Sequence, residues 1–174
     1  MSDCALCGVD DDGNGEYNDE GIIAIASAIS VSASLTSINL SINAIDSKSA
    51  KHIAKDIAVS PSLTECDLRY NLFGDIGWCA IFDALLGNPQ NKFSKWDLSE
   101  QDLWSSAELE RRCCPSLRTN SQLQYKFAKS LEAYMAVSTS LTAVDLKNNW
   151  LDADAHQRLR DAVKNRVGFK LHYP

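Results

Sequence analysis

Three stretches of the chain repeat one pattern, and this repetition limits the possible folds more than any other feature. The stretches are VSASLTSINLSINAID (31–46), VSPSLTECDLRYNLFGD (59–75) and VSTSLTAVDLKNNWLD (137–152). Each follows the pattern L-x-x-φ-x-L-x-x-N-x-φ, where φ is an apolar residue. Between them, Ile25, Ile53 and Ile81 lie 28 residues apart along the chain. A period of this length indicates units that bury their apolar faces by stacking on one another.

Each copy of the pattern predicts a short strand, a tight loop and then a helix. In the φ-x-L part, apolar and polar residues alternate, as in a strand that buries one face. Asn43, Asn71 and Asn149 can bond the backbone groups that a tight loop leaves unpaired. The stretches between the copies, such as GIIAIASAI (21–29), carry apolar residues three and four apart and predict one-sided helices.

The repeat length and the helix that follows each strand resemble the ribonuclease-inhibitor-like subtype of leucine-rich repeat proteins, over about residues 20–167. A more divergent copy is FSKWDLSEQDL (93–103). The resemblance implies an α/β leucine-rich repeat solenoid, a short horseshoe arc with a parallel β-sheet on its concave face and α-helices on its convex face. We expect a single domain over residues 1–174. It would have a degenerate N-terminal cap (1–20), an insertion within a repeat (102–122) and a C-terminal cap (168–174) that begins a further strand.

Strand residues that alternate with the buried leucines should face the concave side. These candidate partner-binding residues are Glu65, Asp67, Arg69, Lys95, Asp97, Asp145 and Lys147. The three aspartates would form an acidic stripe that is complementary to a basic segment of a partner. The alternative is that Asp is simply common at this position of the family pattern and has no role in binding.

The fourth repeat is twenty residues too long, because Leu98 and Leu146 lie 48 residues apart. Insertions in repeat proteins map to loops on one face, often the face that binds partners. The insertion and the rim of the strands supply the candidate anchors Trp104, Arg111, Arg112, Arg118, Tyr70 and Trp150, which are residue types enriched at interfaces. The alternative is a solvated loop or a short extra helix.

The acidic stretch DDDGNGEYND (10–19) partly matches a calcium-binding loop, since Asp10, Asp12 and Asn14 hold the first three ligand positions. The twelfth position, which should be a bidentate Glu, is Gly21. We therefore expect no metal site, and consider these three residues weak cation ligands in an acidic cap. A zinc site is not expected either, because Cys4 and Cys7 would have to meet Cys113 and Cys114 from the other end of the array.

Composition and motifs favour a non-enzymatic role. The net charge of −6 argues against nucleic-acid binding, and no apolar run is long enough to enter a membrane as a helix. The N-terminus lacks the features of a signal peptide, so we expect an intracellular, cytoplasmic protein. No catalytic motif and no cofactor site is found. We predict a protein–protein interaction module, an adaptor or a subunit of a larger assembly. Two alternatives stay open: a regulatory module such as a GTPase-activating protein, which the resemblance implies, and a weakly calcium-responsive protein acting through residues 10–21.

Overall fold

The computed structural model describes residues 6–8, 15–99, 121–149, 151 and 153–173, with the backbone alone for 121–125. In these ranges helices alternate with three-residue strands, as the repeat predicts. The elements are α1 (Glu20–Val31), β1 (Ser37–Asn39), α2 (Ser47–Val59), β2 (Glu65–Asp67), α3 (Gly74–Gly87), β3 (Lys95–Asp97), α4 (Ser121–Val137), β4 (Ala143–Asp145), α5 (Ala153–Val163) and β5 (Lys170–His172). The chain is therefore a mixed α/β protein with short parallel strands.

The strands pair in the register that the repeat predicts. Asn39 of β1 lies opposite Asp67 of β2, and Asp97 of β3 lies opposite Asp145 of β4. The strand predicted near the C-terminus is present as β5, which pairs in parallel with β4. The middle residues of the first four strands face the core: Ile38, Cys66, Trp96 and Val144.

The ladder of strands is interrupted between β2 and β3. The described strands form a two-stranded sheet, β1–β2, and a three-stranded sheet, β3–β4–β5, whereas the sequence predicts one sheet. The connection from α3 to β3, GNPQNK (87–92), lies beside this interruption in the sequence and is two residues longer than its counterpart in the first repeat. Buried Asn91 fixes this connection, because its amide donates to the Asn88 carbonyl at 2.7 Å and its Oδ1 accepts from the Tyr134 hydroxyl at 2.9 Å.

The repeated asparagines bond the loops that follow the strands, as predicted. Asn71 Oδ1 accepts from the backbone N–H groups of Asn43 and Ile45, each at 3.1 Å. Its side-chain amide donates to the carbonyl oxygens of Leu40 and Leu68, each at 2.9 Å. One side chain therefore satisfies backbone groups of two successive units, which holds the units in register.

Each helix packs against the next helix along the chain. Where α2 and α3 meet, Gly77 leaves no room for a side chain, since an added Cβ would lie 2.8 Å from the Phe73 Cβ and 3.1 Å from the Ala50 Cβ. Behind α3, the ring of Phe82 contacts the rings of Trp96 and Tyr134, both at centroid distances of 5.8 Å. Such aromatic pairs add about 0.5–1.5 kcal/mol each beyond their buried area, and these two link α3 to β3 and α4.

The residues before α1 form a strap over the first repeat. The backbone N–H of Leu6 donates to Asn43 Oδ1 at 3.4 Å, and the Tyr17 hydroxyl bonds Asp46 at 2.9 Å and Ser49 at 2.6 Å. Asp46 is also the N-cap of α2, where it accepts from the Ser49 N–H at 2.7 Å. Among the helices of the described ranges, none is long and apolar enough to cross a membrane.

Candidate protein-binding surface

The aspartates of the predicted acidic stripe end their strands by local hydrogen bonds. Asp67, Asp97 and Asp145 each accept from the backbone N–H two residues later, at 3.1, 3.1 and 3.0 Å. Asn39 does the same in β1, at 2.9 Å. A short polar side chain at this position therefore turns the chain out of the strand, which explains its repetition without any partner.

Basic side chains neutralise most of this stripe. The Arg69 guanidinium lies 3.0 Å from the carboxylate of Asp67 and 3.1 Å from that of Asp97. Asp145 contacts Lys147 and the Nδ1 of His172, each at 3.4 Å. Because its two carboxylates lie on β2 and β3, Arg69 joins the two sheets where backbone pairing is missing. The surface is a row of paired charges and not an exposed acidic stripe.

The pKa values of these carboxylates reflect their partners. Burial of Asp67 tends to raise the pKa of its carboxyl group, but the hydrogen bonds and charge of Arg69 lower that pKa below its ordinary value. In Asp145 the effect of burial is likewise outweighed, by hydrogen bonds from Lys147 and by its charge, so that its pKa is also lowered. Both side chains are therefore ionised at neutral pH.

The two other predicted strand-face residues, Glu65 and Lys95, are exposed at the starts of β2 and β3. Glu65 lies opposite Ser37, and Lys95 lies opposite Ala143. The structure thus places all seven predicted strand-face residues along the strands and the loops directly after them.

Exposed apolar side chains occur on the loops that follow β1 and β2 and in the first turn of α3. Tyr70, predicted as a rim anchor, is 51% exposed, and Ile42 is 38%, Leu72 63% and Ile76 47% exposed. The backbone N–H of Ile42 donates to the Arg69 carbonyl at 3.1 Å, which places Ile42 beside the Tyr70 loop. We call these four residues the loop-edge patch. It adjoins the row of paired charges, because Arg69 directly precedes Tyr70.

Sequence reasoning missed three members of the loop-edge patch. Leu72 and Ile76 stand where the preceding repeat has Ala44 and Lys48, so an apolar residue at a normally small or polar position was the available signal. Ile42 and Tyr70 also share a left-handed backbone, each with φ of 55°. For a β-branched residue such as Ile42 this conformation is strained by on the order of 1–3 kcal/mol. Asn148 adopts it at the equivalent position, with φ of 56°, so the conformation belongs to the repeated loop and does not by itself mark a site.

The remaining predicted site residues lie outside the described residues. They are Trp104, Arg111, Arg112, Arg118 and Trp150 of the insertion and rim, and Asp10, Asp12 and Asn14 of the acidic stretch. Within the part of the chain that is described, no group of three or more His, Cys, Asp or Glu side chains is arranged to hold a metal ion.

The fold is similar to that of two solved domains. No protein-family model matches the chain, and no curated protein matches it. Actin-binding site 2 of leiomodin-1 has a TM-score of 0.60 and 19% identity, over 85% of this chain and 73% of that one. The tropomodulin C-terminal domain of Caenorhabditis elegans has a TM-score of 0.59 and 17% identity, over 85% of this chain and 76% of that one. At these identities the likeness is evidence of fold and not of function.

These solved structures correct the family predicted from the sequence. The assignment to leucine-rich repeat proteins of the ribonuclease-inhibitor-like subtype is wrong, since the fold is similar to that of a tropomodulin and a leiomodin domain. The physical reason is that a 28-residue period with alternating strand and helix patterns describes how one unit packs on the next. Different families use such a unit, so the period does not identify the family.

Proposed function

We propose that this protein is a non-catalytic protein-binding module, an adaptor or a subunit of a larger assembly. The observation that carries the proposal is the loop-edge patch. Tyr70, Leu72 and Ile76 are each about half exposed or more. Polar residues, which the chain has in number elsewhere, are the usual choice at such exposed positions. Exposed apolar side chains that occur together mark interaction sites more often than isolated ones do.

The neighbouring charges suit the rim of such an interface. Protein interfaces have an apolar centre depleted in charge and a polar rim that remains partly solvated. Here the loop-edge patch would be the centre, and Asp67, Arg69 and Asp97 would be the rim. Because these charges already pair with one another, binding would not require a strongly basic partner.

A more detailed architecture, which we also propose, would suit the same role. We infer that the strand–helix units form a single domain and stack into a short solenoid arc, with the strands on its concave side. A preformed curved surface loses little conformational freedom on binding, which favours affinity. The insertion residues Trp104, Arg111, Arg112 and Arg118 follow β3 in the sequence and would extend this surface.

Actin is the first partner to test, because one solved domain with this fold is named as an actin-binding site. A complex with actin would place the protein inside the cell, in the cytoplasm. The proposal of a protein-binding module rests on the loop-edge patch, whereas the choice of actin rests on the likeness of fold alone.

The test is co-sedimentation of the chain with filamentous actin, together with affinity capture from a cell extract. The double variant Leu72→Ser, Ile76→Ser should reduce binding at least tenfold, which corresponds to about 1.4 kcal/mol or more. The matched control, Val59→Ser, Val137→Ser, changes exposed apolar residues at helix ends and should bind as the unaltered chain does. Absence of actin binding would reject actin only. Capture of the same partners by the loop-edge variant would reject the patch as the binding site.

A further inference from the structure

The first unit of the fold differs from all others in having no charge. From Gly21 to Ile45, 25 residues in succession carry no Asp, Glu, Lys, Arg or His. The equivalent span one repeat later, residues 49–73, carries six charged residues and a histidine. In α1 the apolar residues also extend to the outer side, where Ile23 is 37% and Val31 is 79% exposed. A helix that is apolar on every side is normally buried.

An open groove lies between α1 and the start of β1. It has a volume of about 410 Å³ and is lined mainly by Ile25, Ile29, Leu35 and Ile38, with the small residues Ala28 and Ser34 at its rim. Ile25 and Leu35 are only half-buried, while their counterparts one repeat later, Ile53 and Leu63, are 0% and 1% exposed. The difference arises because the second unit is covered by the first, whereas the strap before α1 does not line the groove of the first unit and no other described residue covers that groove.

We propose that this face binds the same face of a second copy, so that two chains pack α1 against α1 across a two-fold axis. In a two-fold interface both copies contribute the same surface patch, which must therefore be complementary to itself. A face with a net charge of one sign would therefore repel its copy, whereas the span from Gly21 to Ile45 has no charged residue. A partner with a charged surface would instead have to bury that charge without a counter-charge.

The size of the face determines the expected affinity. A helix of twelve residues is about 18 Å long, and a helix and a strand side by side are about 20 Å wide. The flat area is then about 400 Å² per copy, half of the roughly 800 Å² per partner that is usual in stable complexes. The dimer should therefore be weak and reversible, and it should form only at high protein concentration.

The test is sedimentation equilibrium of the full chain at protein concentrations between about 5 and about 500 μM, a range in which weak self-association can be detected. The average mass should rise from 19.2 kDa towards twice that value. Ala28→Arg places a charge at the groove on an exposed position and should hold the mass at 19.2 kDa. Ala136→Arg, the same change at an exposed position of α4, should dimerise as the unaltered chain does.

A second variant guards against misfolding. Ser34→Arg also adds a charge at an exposed position of the groove, and it should likewise remain a monomer while its circular dichroism spectrum stays unchanged. The proposal is overturned if the unaltered chain is monomeric at the highest concentration, or if both groove variants dimerise normally. A mass that continues to rise beyond the dimer would also overturn it, because that result indicates head-to-tail stacking.

Discussion

The two ends of the molecule bury their outer faces to different extents. At the C-terminal end, the Arg166 guanidinium lies 4.7 Å from the ring centroid of Phe169 and donates to the carbonyl oxygens of Met135 and Leu141. The His156 ring stacks on Tyr173 at 5.3 Å. At the N-terminal end, the groove beside α1 is apolar and no described residue fills it.

The repeat pattern contains no residues that would cover its first and last units, so the two ends differ from the units between them. The last unit uses cations and aromatic rings, which cover apolar atoms while keeping polar atoms in contact with water. Among the described residues, the first unit has only the strap around Tyr17, which bonds Asp46 and Ser49 at the start of α2 and does not line the groove. We therefore expect the C-terminal end to contribute more to the stability of the single chain, and the N-terminal end to contribute more to association.

The largest expected effect is at the C-terminal end. Arg166→Ala leaves two carbonyl groups without their charged donor and should lower the free energy of unfolding by about 2–4 kcal/mol. Urea unfolding followed by circular dichroism measures the change. Arg160→Ala is the matched control, because Arg160 is exposed and makes only peripheral contacts with Gln157 and Tyr173, so its loss should stay below about 0.5 kcal/mol. Equal losses for the two variants would contradict a specific role of Arg166.

A second effect should arise between the two ends, at Asp75 in the first turn of α3. Burial raises the pKa of its carboxyl group from 3.8 to about 7, and its Oδ1 has no hydrogen-bond partner. Because the folded pKa lies above the unfolded one, the folded chain binds the proton more tightly. Stability from this group is full below about pH 4 and is lost as the pH rises towards 7.

Asp75→Asn should therefore raise the free energy of unfolding by about 2 kcal/mol at pH 8, and change it much less at pH 4. Urea unfolding at both pH values is the measurement. Asp83→Asn serves as the control, since Asp83 is exposed on the same helix and its substitution should change the free energy of unfolding by less than about 0.5 kcal/mol. A gain that is the same at both pH values would show that ionisation of Asp75 is not its cause.

The smallest expected effect is a difference in the free energy of unfolding between two tyrosine variants, one at each end of the molecule. Tyr17→Phe removes the hydroxyl that bonds Asp46 and Ser49, and should lower the free energy of unfolding by about 1 kcal/mol. Tyr173→Phe removes only a 3.5 Å contact with the exposed Arg160 and should have almost no effect. Thermal unfolding of the two variants side by side is sufficient. If Tyr173→Phe were the more damaging change, the C-terminal ring would depend on its hydroxyl and not on stacking.

Much of the fold follows from local pattern, and less of the site does. The alternation of leucines predicted the strands, and the 28-residue spacing predicted their register, because a slip of one residue would put Leu40 and Leu68 on opposite sides. The bonds of Asn71 were also predictable, since a tight loop must satisfy its own backbone. The loop-edge patch was not, because the exposure of Leu72 depends on tertiary packing and not on the local pattern.

The repeat pattern also did not identify the solved structures with a similar fold, and it did not show that the aspartates are paired with basic side chains. When their spatial neighbours are unknown, three aspartates in equivalent positions predict an acidic surface. Their charge is offset by Arg69 and Lys147, and the contact of Arg69 with Asp97 depends on the spacing of two strands that do not pair. Similarity of fold, and not the period, identified the tropomodulin and leiomodin domains as the structural relatives.

The sequence by itself determined the order of strands and helices, the register within each ladder and the inward position of the asparagines. These features depend on side-chain periodicity and on backbone groups a few residues away, which the sequence lists directly. Only the tertiary structure decided that the strands divide into two sheets, that Arg69 spans them and that the first unit keeps an open groove. Those features depend on distances between residues far apart in the chain, which packing of the whole core determines.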